Sequence, residues 1–173
     1  MPSSQELQEF LKSQIDELKP HYERLVAPLE KLRDDKLTAR QFHKAFRKVV
    51  NTFDDAGPEM AVMEDFTIPS HNGAIPVRLY VPHGASDVAG PTTLFFHGGG
   101  FVSGSIESHE GIARRLAGGS NIRLLSVEYR LAPEHPYPSA PDDCEAVLNW
   151  LFEGHGVEKN LSPSRIALSL IHI

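Results

Sequence analysis

Leu94-Phe95-Phe96-His97-Gly98-Gly99-Gly100-Phe101 is the stretch on which the fold turns. An apolar run of strand type stops at three consecutive glycines. Glycine gives up more backbone freedom on folding than any other residue, so three together need a reason. One reading is a plain flexible turn before a helix. The other is a loop that needs φ > 0 and lets a substrate oxygen approach the main chain with no Cβ in the way. Backbone N–H groups left free at such a turn can donate to a developing oxyanion, worth about 3 kcal/mol per donor. A phosphate cradle is a third option, but neither G-x-G-x-x-G nor G-x-x-x-x-G-K-[ST] occurs.

Outward from this point the chain alternates between extended and helical patterns. Residues 61–68 and 75–81 are extended candidates joined by the hairpin signal His71-Asn72-Gly73. A helix is expected over 107–117, closed by Gly118 and Gly119, followed by a strand over 123–129. A proline-rich loop over 133–141 leads to a helix over 142–152 and an apolar strand over 165–173. This order predicts an α/β fold whose sheet starts antiparallel and continues with parallel strands and flanking helices. The first fifty-odd residues instead read as helices, with capping-box spacings at Ser3/Glu6 and Thr38/Gln41. The expected organisation is a helical cap region over 1–56 and an α/β core over 57–173. Arg40, Lys44, Arg47 and Lys48 flank the apolar face of the third helix, so it could rest on a membrane surface. Packing within the cap is the simpler account.

Composition narrows the function. The 173 residues carry 17 Lys+Arg against 23 Asp+Glu, a net charge of −6, which argues against nucleic acid or an anionic membrane as partner. The single cysteine, Cys144, fits a reducing compartment and reads as a small buried residue, not a nucleophile. No signal peptide and no membrane-spanning run is visible, so a cytoplasmic location is expected. The nine histidines show no metal-ligand spacing, and neither metal nor cofactor is expected.

Two motifs in the right order resemble a known family. His97-Gly98-Gly99-Gly100-Phe101, followed by Tyr129-Arg130-Leu131-Ala132-Pro133-Glu134-His135-Pro136-Tyr137-Pro138, is similar to the hormone-sensitive-lipase-like carboxylesterase branch of the α/β-hydrolases. Gly57-Pro58-Glu59-Met60 and Ile75-Pro76-Val77-Arg78-Leu79-Tyr80 add to the resemblance, which runs from about Gly57 to Leu168. It implies the N-terminal part of an α/β-hydrolase sheet with a helical cap, and a small-molecule ester as substrate. It also implies that Gly99 and Gly100 supply oxyanion-hole N–H groups while His97 and Gly98 shape the loop. Glu134 and His135 could form an acid/base pair, but a structural clamp beside the glycine loop is the favoured reading. Asp142 and Asp143 are expected as helix-start carboxylates, with Asp143 in a supporting role.

The catalytic triad is the point of departure. The resemblance implies a serine in a G-x-S-x-G elbow, and no such pentapeptide occurs in these residues. Ser164-Arg165-Ile166-Ala167-Leu168-Ser169 resembles the strand leading to the elbow, and Leu170-Ile171-His172-Ile173 follows it. Ser169 and His172 would point to opposite faces of a strand and cannot pair. The expectation is an N-terminal portion that is inactive alone and self-associates through its exposed last strand. The alternative is a non-catalytic scaffold that binds an acyl ligand or a partner chain.

Overall fold

In a computed structural model, residues 56–85 and 88–170 are described, together with positions 12, 19, 23, 38, 41 and 45. The chain divides into two compact units, Met1–Phe53 and Asp54–Ile173. In the first, the Thr38/Gln41 capping box forms. The Thr38 N–H donates to Gln41 Oε1 at 2.9 Å, and the Gln41 N–H donates to Thr38 Oγ1 at 3.3 Å. The expected pair at Ser3 and Glu6, and the helix face after Gln41, lie outside the described residues.

The second unit begins with a two-residue hairpin. Strands β1 (Val62–Ser70) and β2 (Gly73–Val81) pair antiparallel, with Ser70 opposite Gly73. Ser70 Oγ locks the turn by donating to the Gly73 carbonyl at 2.7 Å and accepting the Asn72 N–H at 3.2 Å. Strands β3 (Gly90–Phe96), β4 (Arg123–Val127) and β5 (Leu161–Leu170) complete a sheet of order β1-β2-β4-β3-β5. β4 is antiparallel to β2 and parallel to β3, and β5 is parallel to β3. The expected antiparallel start and parallel continuation are thus present.

Helix α1 (Glu110–Ser120) connects β3 to β4, and helix α2 (Ser139–Phe152) connects β4 to β5. The first crossover steps one way along the sheet and the second steps back over β3. Right-handed crossovers that reverse direction put their helices on opposite faces. The core is accordingly double. Leu79, Leu94, Phe96, Leu125 and Val127 pack with Val147 and Leu151 of α2. Tyr80, Phe95 and Leu124 pack with Ala113 and Ala117 of α1. Burial on both faces explains why β3 and β4 read as continuous apolar runs, not alternating ones.

Helix boundaries differ from expectation. The segment expected as a helix over 107–117 opens with a 3₁₀ turn, Glu107–His109. α1 then runs through Gly118 and Gly119 and stops at Asn121, in the left-handed conformation at φ 56°. Asparagine is one of the few residues that takes this conformation readily, so the cap lies two residues beyond the glycine pair. α2 starts at Ser139, with Pro141 in its first turn, where its missing N–H is not needed.

Candidate active site

Both crossovers leave the carboxyl ends of β3 and β4 on one edge of the sheet, which is where open α/β sheets bind ligands. The loop after β3 (97–106) and the loop after β4 (128–138) meet there. Each carries one of the two motifs read from the sequence.

The glycine loop is held on its inner side. His97 is fully buried, and its ring stacks on Tyr129 at 4.2 Å between centroids. The Tyr129 hydroxyl donates to the His97 carbonyl at 2.5 Å. Burial pushes the Tyr129 phenol above its ordinary pKa, so this donor keeps its proton throughout the neutral range. The Gly98 N–H donates to His109 Nε2 at 3.2 Å. The Gly99 carbonyl accepts from the N–H groups of Val102 and Ser103, at 3.2 and 3.1 Å, and from Ser103 Oγ at 3.0 Å. Farther along, the Ala132 N–H donates to the Phe101 carbonyl at 2.8 Å, stitching the two motif loops together. Glu128 accepts the Ile106 N–H at 2.6 Å, closing the loop at its far end.

The outer side is open. Among the described residues, neither the Gly99 nor the Gly100 N–H meets an acceptor, and Gly100 is exposed. Gly99 at φ 126° and Gly100 at φ 62° turn successive peptide planes at the point where these N–H groups are left without protein partners. Gly104, at φ 95°, was not singled out in the sequence. A Cβ on it would collide with the Gly98 carbonyl and stand 2.9 Å from His97 Cε1. Its signal was a fourth glycine, Gly104, only four residues after Gly100. His109 was likewise passed over, as one histidine among nine without a spacing pattern.

The loop after β4 is braced through Arg130. Glu134 and His135 are exposed, and the His135 backbone N–H donates to the Leu131 carbonyl at 2.9 Å. Asp143, on the first turns of α2, is only 2% exposed. It accepts the Arg130 N–H at 2.9 Å and receives the guanidinium through Nε and Nη2 at 2.9 and 2.8 Å. A bidentate pair with an added backbone donor fixes a loop in a way a single ion pair cannot. The peptide bonds before Pro133 and Pro138 are cis.

Hydroxyls near the open N–H groups are committed elsewhere. Ser103 serves Gly99, and Ser105 and Ser108 bond to one another. Ser169 lies on β5 opposite Phe95, and His172 lies outside the described residues. Cys144, beside Asp143, is half-buried, and its thiol is pushed up to about 12 by burial and then by the Asp143 charge. Among the described residues no group of three or more His, Cys, Asp or Glu could hold a metal. None of their helices is long and apolar enough to cross a membrane.

The chain is similar to known proteins. Residues 93–169 match a family model described as the alpha/beta hydrolase fold. Esterase LipI of Mycobacterium tuberculosis is 43% identical over 113 residues, covering 65% of this chain and 35% of that protein. Carboxylic ester hydrolase LipN of the same organism is 36% identical over 136 residues, covering 78% of this chain and 35% of that protein. Among solved structures, the ester-hydrolase EH1AB1 from the metagenome of Lake Arreo superposes with a TM-score of 0.80 at 31% identity, over 89% of this chain and 49% of that one. The thermostable carboxylesterase EstE1, from a metagenomic library, gives 0.72 at 35% identity, over 79% of this chain and 46% of that one. The chain therefore spans about a third of the length of these curated relatives and about half that of the solved chains.

Proposed function

We propose, from a chain that belongs to the α/β-hydrolase fold family in its hormone-sensitive-lipase-like carboxylesterase branch, that these residues form the oxyanion-binding part of an ester-hydrolase centre. One observation carries the reading. In a loop whose Gly98 N–H and Gly99 carbonyl are tied down, the N–H groups of Gly99 and Gly100 have no protein acceptor among the described residues. Attack on an ester carbonyl makes its oxygen an anion, and two preorganised donors lower the barrier most when they need not reorganise as charge develops. His97 and Gly98 shape the loop, while Asp143 supports it through Arg130. Glu134 and His135 complete the second motif without a role in proton transfer.

The substrate class is a small-molecule ester, and the mechanism is serine acyl transfer with the nucleophile and its partners supplied from outside these 173 residues. Two facts support this division: the absence of G-x-S-x-G from the sequence, and coverage of 35% of each first relative. Residues 1–56 form a helical region distinct from the core over 57–173, and lone Cys144 suits a cytoplasmic setting.

Two measurements on the purified 173-residue chain test this reading. Addition of acetate, the product of an acetate ester, is expected to shift the Gly99 and Gly100 amide resonances. No response at either would refute the oxyanion site. Hydrolysis of p-nitrophenyl acetate and butyrate is expected to be absent, with no adduct from a serine-directed phosphonate. Turnover with a single covalent adduct, abolished by replacing the labelled serine, would overturn the assignment of the nucleophile.

A second reading, a non-catalytic scaffold that associates with a partner or with itself, is favoured by β5. Leu168 and Leu170 are 60% and 47% exposed on the outermost strand of the described sheet.

A further inference from the structure

We propose that His109 is a positioning residue that sorts the glycine N–H groups, engaging that of Gly98 so that those of Gly99 and Gly100 are turned outward. The inference rests on the reading of the loop as an oxyanion hole. His109 sits at the end of the 3₁₀ turn before α1, is 6% exposed, and lies behind the loop with its ring 5.6 Å from that of His97.

The hydrogen bonds around His109 assign its proton. A backbone N–H can only donate, so Nε2, at 3.2 Å from the Gly98 nitrogen, must be bare. The ring proton then sits on Nδ1, 2.9 Å from Ser108 Oγ. The Ser108 hydroxyl donates to the Ser105 carbonyl at 3.0 Å, which leaves its lone pairs for His109 Nδ1–H and for the Ser105 N–H at 2.8 Å. Ser105 Oγ in turn accepts the Ser108 N–H at 3.1 Å. Each of these donors meets an acceptor without conflict only for the neutral Nδ1–H tautomer.

This arrangement chooses among the three glycines. Gly98 is buried and its N–H needs a partner, which the His109 ring provides. With Gly98 tied inward, the next two residues take positive φ and their N–H groups are left without a protein acceptor among the described residues. The hydroxyls of Ser105 and Ser108 hold the imidazole in the one tautomer that can accept. His109 itself touches no substrate.

The test uses the ¹⁵N-labelled 173-residue chain. A two-bond proton–nitrogen correlation spectrum of the imidazoles is expected to show His109 as the Nδ1–H tautomer. His109→Leu is expected to speed Gly98 amide exchange about tenfold and to abolish the acetate response of Gly99 and Gly100. His109→Gln, whose Oε1 can accept the same N–H, is expected to restore both. An Nε2–H tautomer in the parent, or an acetate response that survives His109→Leu, overturns the role of His109. Slow Gly98 exchange and the Nδ1–H tautomer, with no acetate response in the parent, overturn the oxyanion-hole reading instead.

Discussion

Replacing Gly99 by alanine measures how tightly the loop is built. A Cβ at this position would collide with the Ser103 carbonyl oxygen and stand 2.6 Å from its carbon and 2.8 Å from its Oγ. The obstruction is mostly backbone, so it cannot be relieved by a rotamer change. Forcing alanine to φ near 126° costs about 1–3 kcal/mol. Displacing Ser103 adds an overpacking cost of about 1–3 kcal/mol. The expected loss is therefore about 2–6 kcal/mol. Gly100→Ala is the matched control, because its Cβ meets nothing within 4 Å and only the left-handed φ of 62° is paid for. That costs about 1 kcal/mol. In urea, with a slope of about 2 kcal/mol/M, Gly99→Ala should lower the unfolding midpoint by about 1–3 M and Gly100→Ala by about 0.5 M. Equal midpoints for the two variants would refute the loop packing described here.

Other expectations follow from the same structure. Asp143→Ala removes the carboxylate that holds Arg130 and leaves it only the long contact of Nη2 with the Ser139 carbonyl at 3.4 Å; since Arg130 keeps 27% of its side chain in solvent the loss should be about 2–3 kcal/mol, read as a denaturation midpoint. Cys144, with its thiol pushed up to about 12, should resist a disulfide reagent at pH 8 in the folded chain and react at once in denaturant. Equal rates in the folded and the denatured chain would mean that the thiol is not shielded as described. Leu168→Lys on the outer strand should reduce self-association of the purified chain, measured by sedimentation, without changing its thermal midpoint by more than a degree or so. Unchanged sedimentation would place the contact elsewhere.

The sheet was legible in the sequence because its signals are local and redundant. The Ser70-to-Gly73 turn and the doubly apolar runs of β3 and β4 each follow from a few adjacent residues. The glycine loop was legible for the same reason: three costly residues in a row advertise a backbone requirement. What sequence reading missed acts across space. His109 reaches back to Gly98 over a turn of 3₁₀ helix, and Gly104 matters only because His97 and Gly98 fold against it. The helix end was misplaced because glycine is the commoner stop signal, yet Asn121 takes the left-handed conformation. Charged residues in the second motif suggested a clamp at Glu134 and His135. Asp143 was read in a supporting role from its place at the helix start, but its partner Arg130 was not, because their pairing depends on how α2 docks beside the loop.

The placement of β3 between β4 and β5 has a consequence for synthesis. β4 follows β3 by about thirty residues, but Thr92 pairs with Ile166, roughly seventy residues later. As the chain leaves the ribosome, Leu94-Phe95-Phe96 therefore acquires one neighbour long before the other. During that interval its second edge is an open template for foreign strands. The rate-limiting contact in assembling this core is expected to be the docking of β5, and a nascent chain stalled before Leu161 should depend on chaperones in a way that one stalled after Leu170 does not.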